Sequence, residues 1–188
     1  MAKLQIIIAS TRPGRIGLPI GTWFSEVARR HGKLDVQVID LATVNLPMLD
    51  EPKHPRFAQY EKAHTKAWSA TIVEADAYVF VTPEYNYAAP PTLMNALNFL
   101  SREWAYKPVG FVSYGGIAGG TRAVQMLKLS VTALKMMPLP EAVTLPFAAK
   151  QIEDGVFKAS ESNEQASSTM LDELARWAEA LAPMRRKT

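Results

Sequence analysis

Three polar stretches of the chain contain the residue types best suited to bind a ligand, and each follows a short apolar run. We call them loop one (residues 10–17), loop two (83–91) and loop three (114–120). Together they supply hydroxyls, guanidiniums, amides, aromatic rings and several glycines. In an α/β protein, ligands bind to the loops that leave the carboxyl ends of strands. We therefore interpret these loops as the candidate site.

Loop one has the composition of a phosphate-binding segment. Ser10 and Thr11 carry hydroxyls, and Arg12 and Arg15 carry guanidiniums, just before a helix predicted to begin at Gly17. The free N–H groups at the amino end of a helix attract anions, and hydroxyls with arginines complete a cradle for a phosphate. The loop lacks the glycine fingerprints of dinucleotide and P-loop sites, so a monophosphate suits it better. The alternative is a helix cap with two solvated arginines.

Loops two and three supply groups that suit a flat ring. Loop two offers amides and carbonyls for the edge of a heterocycle, with Tyr85 and Tyr87 as candidate walls. Loop three is rich in glycine from Gly115 onward, which lets backbone approach a flat ligand closely. Ser113 and Tyr114 stand at its entrance. The alternatives are ordinary packing for the tyrosines and a tight strand-to-helix turn for the glycines.

The hydrophobic pattern predicts strands and helices that alternate along the chain. The predicted strands are residues 4–9, 36–41, 77–82, 108–113 and 139–143. The predicted helices are 17–31, about 58–74, one after 91, one from loop three to 136, and a final helix that places 170–181 on one face. Residues 42–55 contain three prolines, Pro47, Pro52 and Pro55, together with several charged residues, and they are predicted to form an irregular surface connection.

This alternation predicts an α/β fold with a five-stranded parallel sheet of order 2-1-3-4-5 and helices on both faces. In that order the first, third and fourth strands are neighbours. The three polar loops follow those strands and emerge side by side at one edge of the sheet. We therefore expect all three to contact one ligand.

Composition and charge argue against a nucleic-acid partner. The 188 residues are 48% hydrophobic and contain no linker, which predicts a single domain over 1–188. Arg185, Arg186 and Lys187 account for the formal charge of +3 and lie in a tail, about 183–188, predicted to be frayed. Without these three of the 21 basic residues, 18 remain against 18 acidic ones. The folded body is therefore neutral and offers no basic face for phosphate backbones.

Cysteine is absent, which excludes disulfides, thiolate catalysis and cysteine-bound metals and fits a cytoplasmic protein. No apolar run is long enough to cross a bilayer, so no membrane partner is expected. His31, His54 and His64 lack metal-ligand spacing, and no metal is expected. The chain also lacks the Gly-x-Ser-x-Gly elbow of a serine hydrolase.

Short motifs occur in the three loops and in the helices that follow them. They are Ser10-Thr11-Arg12, then Pro83-Glu84-Tyr85-Asn86 with Pro90, Leu93, Asn95 and Ala96, and finally Ser113-Tyr114-Gly115-Gly116 through Gly119-Gly120 and Arg122-Ala123. Together these motifs resemble the NADPH-dependent FMN reductase family. Two departures are Ala9 before Ser10, where many relatives have glycine, and Met94, where many have lysine.

The resemblance implies a flavodoxin-like three-layer sandwich that binds FMN noncovalently and uses NADPH or NADH as co-substrate. It assigns the phosphate to loop one and the isoalloxazine ring to loops two and three. The implied phosphate residues are Ser10, Arg12, Arg15, Ile16 and Gly17, and the implied ring residues are Pro83, Glu84, Tyr85, Asn86 and Tyr87 on one side and Ser113, Tyr114, Gly115 and Gly116 on the other. No catalytic side chain is expected, because the flavin performs hydride transfer.

The resemblance also implies a ping-pong cycle, in which NAD(P)H reduces FMN and leaves before a quinone, flavin or similar acceptor takes the electrons. Family members commonly form homodimers or homotetramers, and the helix after loop three is apolar over a wide arc, with stripes such as Leu127, Val131 and Leu134. Glu84 is interpreted as a structural anion paired across such an interface rather than as a proton donor. The alternatives are a non-enzymatic flavodoxin-like electron carrier, an FMN-binding regulator, or an α/β protein that has lost its ligand. Carriers of that type are usually acidic, so the neutral body favours the reductase.

Overall fold

The computed structural model describes residues 1–185, and its central feature is a five-stranded parallel sheet. The strands are β1 (Ala2–Ile8), β2 (Leu34–Asp40), β3 (Ala77–Pro83), β4 (Pro108–Gly115) and β5 (Met137–Pro146). Their order is β2-β1-β3-β4-β5, and every neighbouring pair is parallel. The predicted flavodoxin-like α/β fold is therefore confirmed.

Helices cover both faces of this sheet. They are α1 (Gly17–His31), α2 (Leu41–Val44), α3 (Ala63–Val73), α4 (Pro91–Asn98), α5 (Thr121–Ala133) and α6 (Glu161–Arg185). Side chains alternate across β1, so Ile6 and Ile8 pack with α1 and α6, whereas Ile7 packs with α3, α4 and α5. Each face of the sheet thus has its own apolar core, and loops one to three are held between the two layers.

Polar contacts fasten α1 to α6. Trp23 Nε1 donates to Glu164 at 2.8 Å, and Arg30 pairs with the same carboxylate at 3.1 Å. Lys33, just beyond the end of α1, pairs with Asp172 at 2.6 Å. The helix that begins at loop one is therefore tied to a helix more than a hundred residues further along the chain.

Some element boundaries differ from the predictions. The helix predicted over about 58–74 begins only at Ala63, because the Glu51 carboxylate accepts hydrogen bonds from the N–H groups of Glu61 and Lys62, both at 2.9 Å, and holds them outside the helix. The predicted irregular connection contains the short helix α2, which Asp40 caps by accepting from Ala42 N at 3.0 Å. A small hairpin, β6 (Ile152–Glu153) and β7 (Val156–Phe157), was not predicted.

The predicted frayed tail is wrong for residues 183–185, which belong to α6. Arg185 pairs with Asp76 at 2.8 Å and donates to the carbonyl of Tyr106 at 3.2 Å, and these partners hold the last turn of the helix. Residues 186–188, the rest of that tail, lie outside the described residues. Over residues 1–185, none of the helices combines the length and apolar character that a membrane span requires.

Candidate functional site

The three polar loops meet at the carboxyl edge of the sheet. Ala9 N, at the end of β1, donates to the carbonyl of Val81 in β3 at 3.0 Å. Glu84 N, just after β3, donates to the carbonyl of Tyr114 in β4 at 3.1 Å. These hydrogen bonds continue the ladders between β1, β3 and β4 into the loops, as the predicted sheet order requires.

Loop one ends at the amino end of a helix whose N–H groups have no side-chain cap. Ile16 occupies the cap position of α1, and its side chain cannot accept a hydrogen bond. The first turn of α1 contains no acidic residue, so the positive end of the helix dipole is not neutralised locally. The Arg12 side chain is exposed and makes no ion pair with another described residue. This end of α1 is therefore electropositive and open to an anion.

Gly17 allows two hydroxyls to lie directly against the first turn of α1. A Cβ at this position would lie 2.3 Å from Ser10 Oγ and 2.4 Å from Tyr114 Oη, distances that real Cβ atoms do not adopt. Both hydroxyls are buried, and within residues 1–185 neither has a hydrogen-bond partner apart from the other. Burial raises the pKa of Tyr114, so this hydroxyl keeps its proton at neutral pH. Two buried hydroxyls beside an uncapped helix end and an exposed guanidinium are a donor set that fits a phosphate.

The structure directs Arg15 away from this anion position. Its guanidinium donates to Asp40 Oδ1 at 2.6 Å, forms a second hydrogen bond with the other carboxylate oxygen, and donates to the Ser10 carbonyl at 2.5 Å. Burial acts to raise the pKa of Asp40, but the hydrogen bonds from Arg15 and from Ala42 N, together with the charge of Arg15, outweigh it and lower that pKa. Arg15 thus holds loop one against the end of β2, and the role in phosphate binding predicted for it stays a prediction.

Loop two contains a tight hairpin. Tyr85 N and the Ala88 carbonyl are 2.9 Å apart, as are Ala88 N and the Tyr85 carbonyl. The two residues between them, Asn86 and Tyr87, both have positive φ, 50° and 71°, as a type I′ turn requires. Asparagine adopts this conformation readily, whereas a bulky aromatic residue there is uncommon. Pro83, at the base of the loop, is buried, and Asn86 and Tyr87 at its tip are exposed.

Glu84 joins loop two to the start of α5. The Arg122 Nε donates to Glu84 Oε1 at 2.6 Å, and the backbone N of Arg122 donates to Oε2 at 3.2 Å. These hydrogen bonds lower the pKa of Glu84, which is therefore ionised at neutral pH. Glu84 is thus an anion paired within its own chain, and the contact across an interface predicted for it stays a prediction.

Arg122 has a second contact that the sequence analysis did not predict. Its guanidinium carbon lies 3.9 Å from the centre of the Tyr87 ring, the geometry of a cation–π contact. Both residues stand within or beside the motifs, but their spacing of 35 positions gives no sign of contact. Only the return of the chain through β4 brings them together.

Loop three uses some of its predicted ligand groups internally. Ser113 Oγ donates to the carbonyl of Gly119 at 2.9 Å, and the carbonyl of Gly116 accepts from Gly119 N and Phe147 N. A Cβ at Gly116 would meet no atom within 4 Å, so this part of the loop is an open rim. Gly115 is half-buried, and the Tyr114 hydroxyl reaches loop one.

A cavity of ≈ 290 Å³ lies on the other side of loop one, toward α2 and α4. Its lining residues are Thr11, Leu41, Ala42, Asn45, Leu46, Thr92 and Asn95. Only Thr11 belongs to the predicted loops. Thr92 and Asn95 bind backbone instead, since Thr92 Oγ1 donates to the carbonyl of Ala9 and Asn95 Nδ2 to that of Pro47. This cavity is therefore a neighbour of the predicted site rather than part of it.

Comparison with known proteins agrees with this geometry. The family model for NADPH-dependent FMN reductase matches residues 2–150. An NAD(P)H-dependent FMN reductase of Schizosaccharomyces pombe is 40% identical over 147 residues, which cover 77% of this chain and 74% of the relative. A quinone reductase of Pseudomonas putida is 29% identical over 183 residues, which cover 93% of this chain and 94% of the relative.

A solved structure supports the same fold. The flavoenzyme NAD(P)H:(acceptor) oxidoreductase of Paracoccus denitrificans aligns with a TM-score of 0.75 at 21% identity and covers 96% of this chain and 98% of its own. The strand order and the loops at its carboxyl edge define the chain as a flavodoxin-like protein. More narrowly, the chain belongs to the NADPH-dependent FMN reductase family. It is an oxidoreductase, and these matches confirm the predicted cofactors, FMN and NAD(P)H.

Proposed function

We propose that the protein passes electrons from NAD(P)H through noncovalently bound FMN to a quinone, a flavin or a similar acceptor in a ping-pong cycle. The observation that carries the proposal is the pair of buried hydroxyls of Ser10 and Tyr114 at the uncapped end of α1, which have no partner but each other in the described part of the chain. The bound flavin supplies the hydride chemistry, so the chain has to bind, orient and expose it.

In this proposal loop one holds the FMN phosphate. Ser10 and Tyr114 donate their hydroxyl protons to phosphate oxygens, the first N–H groups of α1 at Gly17 and beyond add donors, and Arg12 supplies the positive charge. Arg15 does not contact the phosphate in this proposal. Its hydrogen bonds to Asp40 and to the Ser10 carbonyl position the loop that carries the binding groups. Ile16 leaves the helix end uncapped.

Loops two and three hold the isoalloxazine ring in the same proposal. Backbone groups from Pro83 to Asn86 face the ring edge on one side, and the open rim at Gly115 and Gly116 lets the backbone approach it on the other. The ion pair between Glu84 and Arg122 keeps the two loops at a fixed separation. We propose that all fourteen residues predicted from the sequence belong to one FMN site, and that this site lies within a single domain.

We also propose that the protein is a cytoplasmic homodimer or homotetramer. Met126 and Leu129 on α5 are 53% and 77% exposed, although both are apolar and stand one helical turn apart. Such a stripe is costly to leave in water and suits a contact with a second copy. The same helix begins with Arg122, so a contact there would lie close to the flavin loops.

An anaerobic spectral titration tests the proposed reaction. Purified protein with FMN should show the flavin spectrum, lose its visible absorbance when NADPH or NADH is added, and regain it when a quinone follows. Parallel double-reciprocal plots at several quinone concentrations are the kinetic sign of a ping-pong cycle. Failure to bind FMN would refute the proposal. FMN binding without bleaching by either nicotinamide would instead favour an electron carrier or a regulator.

A further inference from the structure

Tyr87 is a large aromatic residue in an unusual and exposed position. It stands at the second central position of the loop-two hairpin with φ 71°, and 61% of its surface is exposed. Glycine or asparagine is the usual residue at such a position. An exposed tyrosine in a backbone conformation that disfavours it calls for an explanation at a functional site.

Contacts within the chain place the ring of Tyr87 against Arg122. The Arg122 guanidinium lies against one face, 3.9 Å from the ring centre. Arg122 is itself fixed by the Glu84 carboxylate, whose side chain is only 6% exposed. The two hydrogen bonds between Tyr85 and Ala88 close the hairpin beneath it. Arg122 lies over one face of the ring, and the residue as a whole remains 61% exposed.

Exposure increases outward along loop two, from buried Pro83 through half-buried Glu84 and Tyr85 to Tyr87. A resident cofactor needs the deep part of such a gradient, where water is excluded and contacts are permanent. A substrate that enters and leaves at each turnover needs the outer part. Tyr87 thus presents a rigid aromatic face where an exchanging planar molecule would arrive.

We propose that Tyr87 is the stacking platform for a planar aromatic electron acceptor of the quinone class, and that Arg122 and Glu84 hold its ring in position. This inference rests on the proposed function and names the acceptor chemistry of that same site. The overall step balances as NAD(P)H, one proton and a quinone giving NAD(P)⁺ and a hydroquinone. Tyr87 transfers neither electrons nor protons, and it acts only through stacking, which depends on the acceptor having a π-face.

The test compares a flat acceptor with one that cannot stack. The Tyr87→Asn variant suits the positive φ and removes the ring, whereas Tyr87→Phe keeps the ring and removes the hydroxyl. Steady-state rates are measured with menadione and with hexacyanoferrate(III), at saturating FMN. In Tyr87→Asn, kcat/KM for menadione should fall about tenfold more than that for hexacyanoferrate(III), mainly through KM, because this factor corresponds to about 1.4 kcal/mol of aromatic stacking. Tyr87→Phe should keep most of the menadione activity.

Tyr106 provides a matched control. It is also a tyrosine with positive φ, 61°, and a cation, Lys135, lies 5.5 Å from its ring centre. It precedes β4 and lies at the opposite edge of the sheet, so Tyr106→Asn should leave the ratio of the two acceptors unchanged. The stacking role would be overturned if Tyr87→Asn lost equal activity with both acceptors or lost none with either. Equal losses together with a changed molar mass in sedimentation would show instead that the variant disturbs the assembly, and they too would overturn the stacking role. A wild-type protein whose flavin NAD(P)H cannot bleach would instead refute the proposed function itself.

Discussion

Gly17 determines how closely α1 approaches the two buried hydroxyls that we propose bind the phosphate. It is the first residue of α1, and its missing side chain is what leaves room for Ser10 Oγ and Tyr114 Oη. The family resemblance implies that Gly17 contacts the phosphate, but it gives no physical reason for glycine there. The physical reason, contact with a tyrosine from a strand almost a hundred residues away, becomes visible only in three dimensions.

Gly17→Ala should therefore destabilise the protein and weaken FMN binding. On helix propensity alone, alanine would stabilise the first turn by up to about 1 kcal/mol. Forcing a methyl group against a rigid tyrosine hydroxyl costs about 1–3 kcal/mol, and the cost should prevail. Thermal unfolding should show a melting temperature lower by a few degrees, roughly 2–4 °C per kcal/mol in a chain of this size.

Gly116→Ala is the matched control for that measurement. A Cβ at Gly116 meets nothing within 4 Å, so its melting temperature should stay close to that of the wild type. A Gly17→Ala variant that melts at a higher temperature than the wild type would show that the hydroxyls move aside without cost.

Arg12→Ala separates the phosphate from the ring. Because Arg15 is paired with Asp40, Arg12 is the loop-one guanidinium that has no ion pair among residues 1–185. A hydrogen bond to a charged group is worth about 1.5–3 kcal/mol, so the dissociation constant for FMN should rise roughly tenfold to a hundredfold. Riboflavin lacks the phosphate, and its affinity should change little.

Flavin fluorescence quenching measures both affinities. Arg176→Ala, at an exposed position on α6 where the guanidinium pairs with nearby Glu173, should change neither affinity. Equal losses for FMN and riboflavin in Arg12→Ala would show that Arg12 does not contact the phosphate.

At the scale of elements, the sequence predicted the end of a helix correctly where a nearby residue marks it. The predicted helix 17–31 matches α1, because Gly32 ends it in the left-handed conformation with φ 76°. The start of α3 could not be predicted, since Glu51 reaches it from an irregular segment. In the same way, the Glu84 contact with Arg122 depends on the register between β3 and β4. The residue types thus predicted where the ligand loops lie, but the partners of their side chains depend on the tertiary structure.

The carboxyl end of α3 is closed by a buried lysine instead of a glycine. Lys107 Nζ donates to the carbonyls of Ile72 at 3.0 Å and Val73 at 3.1 Å, and to Tyr78 Oη at 3.1 Å. Its three protons therefore meet three acceptors. Burial, assisted by the nearby charge of Arg185, lowers the pKa of Lys107 to about 8, while Asp76 and Glu103 act in the opposite direction.

This lowered pKa predicts a pH-dependent stability. Between about pH 8 and the pKa of a lysine in the unfolded chain, near 10.4, the unfolded state binds more protons at this position, so the free energy of unfolding rises with pH. Relative to Lys107→Met, the wild type should gain on the order of 3 kcal/mol from pH 7 to pH 10.5. Urea unfolding of both proteins across this range measures the difference. A difference that stays constant with pH would contradict a lowered pKa.

At the scale of the whole molecule, the helix layer on the α3, α4 and α5 side leaves apolar side chains in water. Leu129→Glu on α5 adds a charge at a position that is 77% exposed, so it should not disturb the fold of a single chain. If this stripe joins two copies, burying that charge should break the contact. Sedimentation should then show a smaller assembly with unchanged circular dichroism. Glu179, an exposed position on α6, offers a control as Glu179→Lys, and an unchanged assembly in Leu129→Glu would exclude this face of α5 as the interface.

The fastening of α1 to α6 has a consequence for how the protein is made. Loops one to three lie before residue 121, whereas Glu164 and Asp172, which contact α1 and the residue just after it, are translated later. A ribosome therefore completes every segment proposed to contact the flavin well before the helix that packs on α1. We expect FMN to bind tightly only after α6 has left the exit tunnel of the ribosome. Tight FMN binding would then occur only in a chain whose synthesis has passed α6.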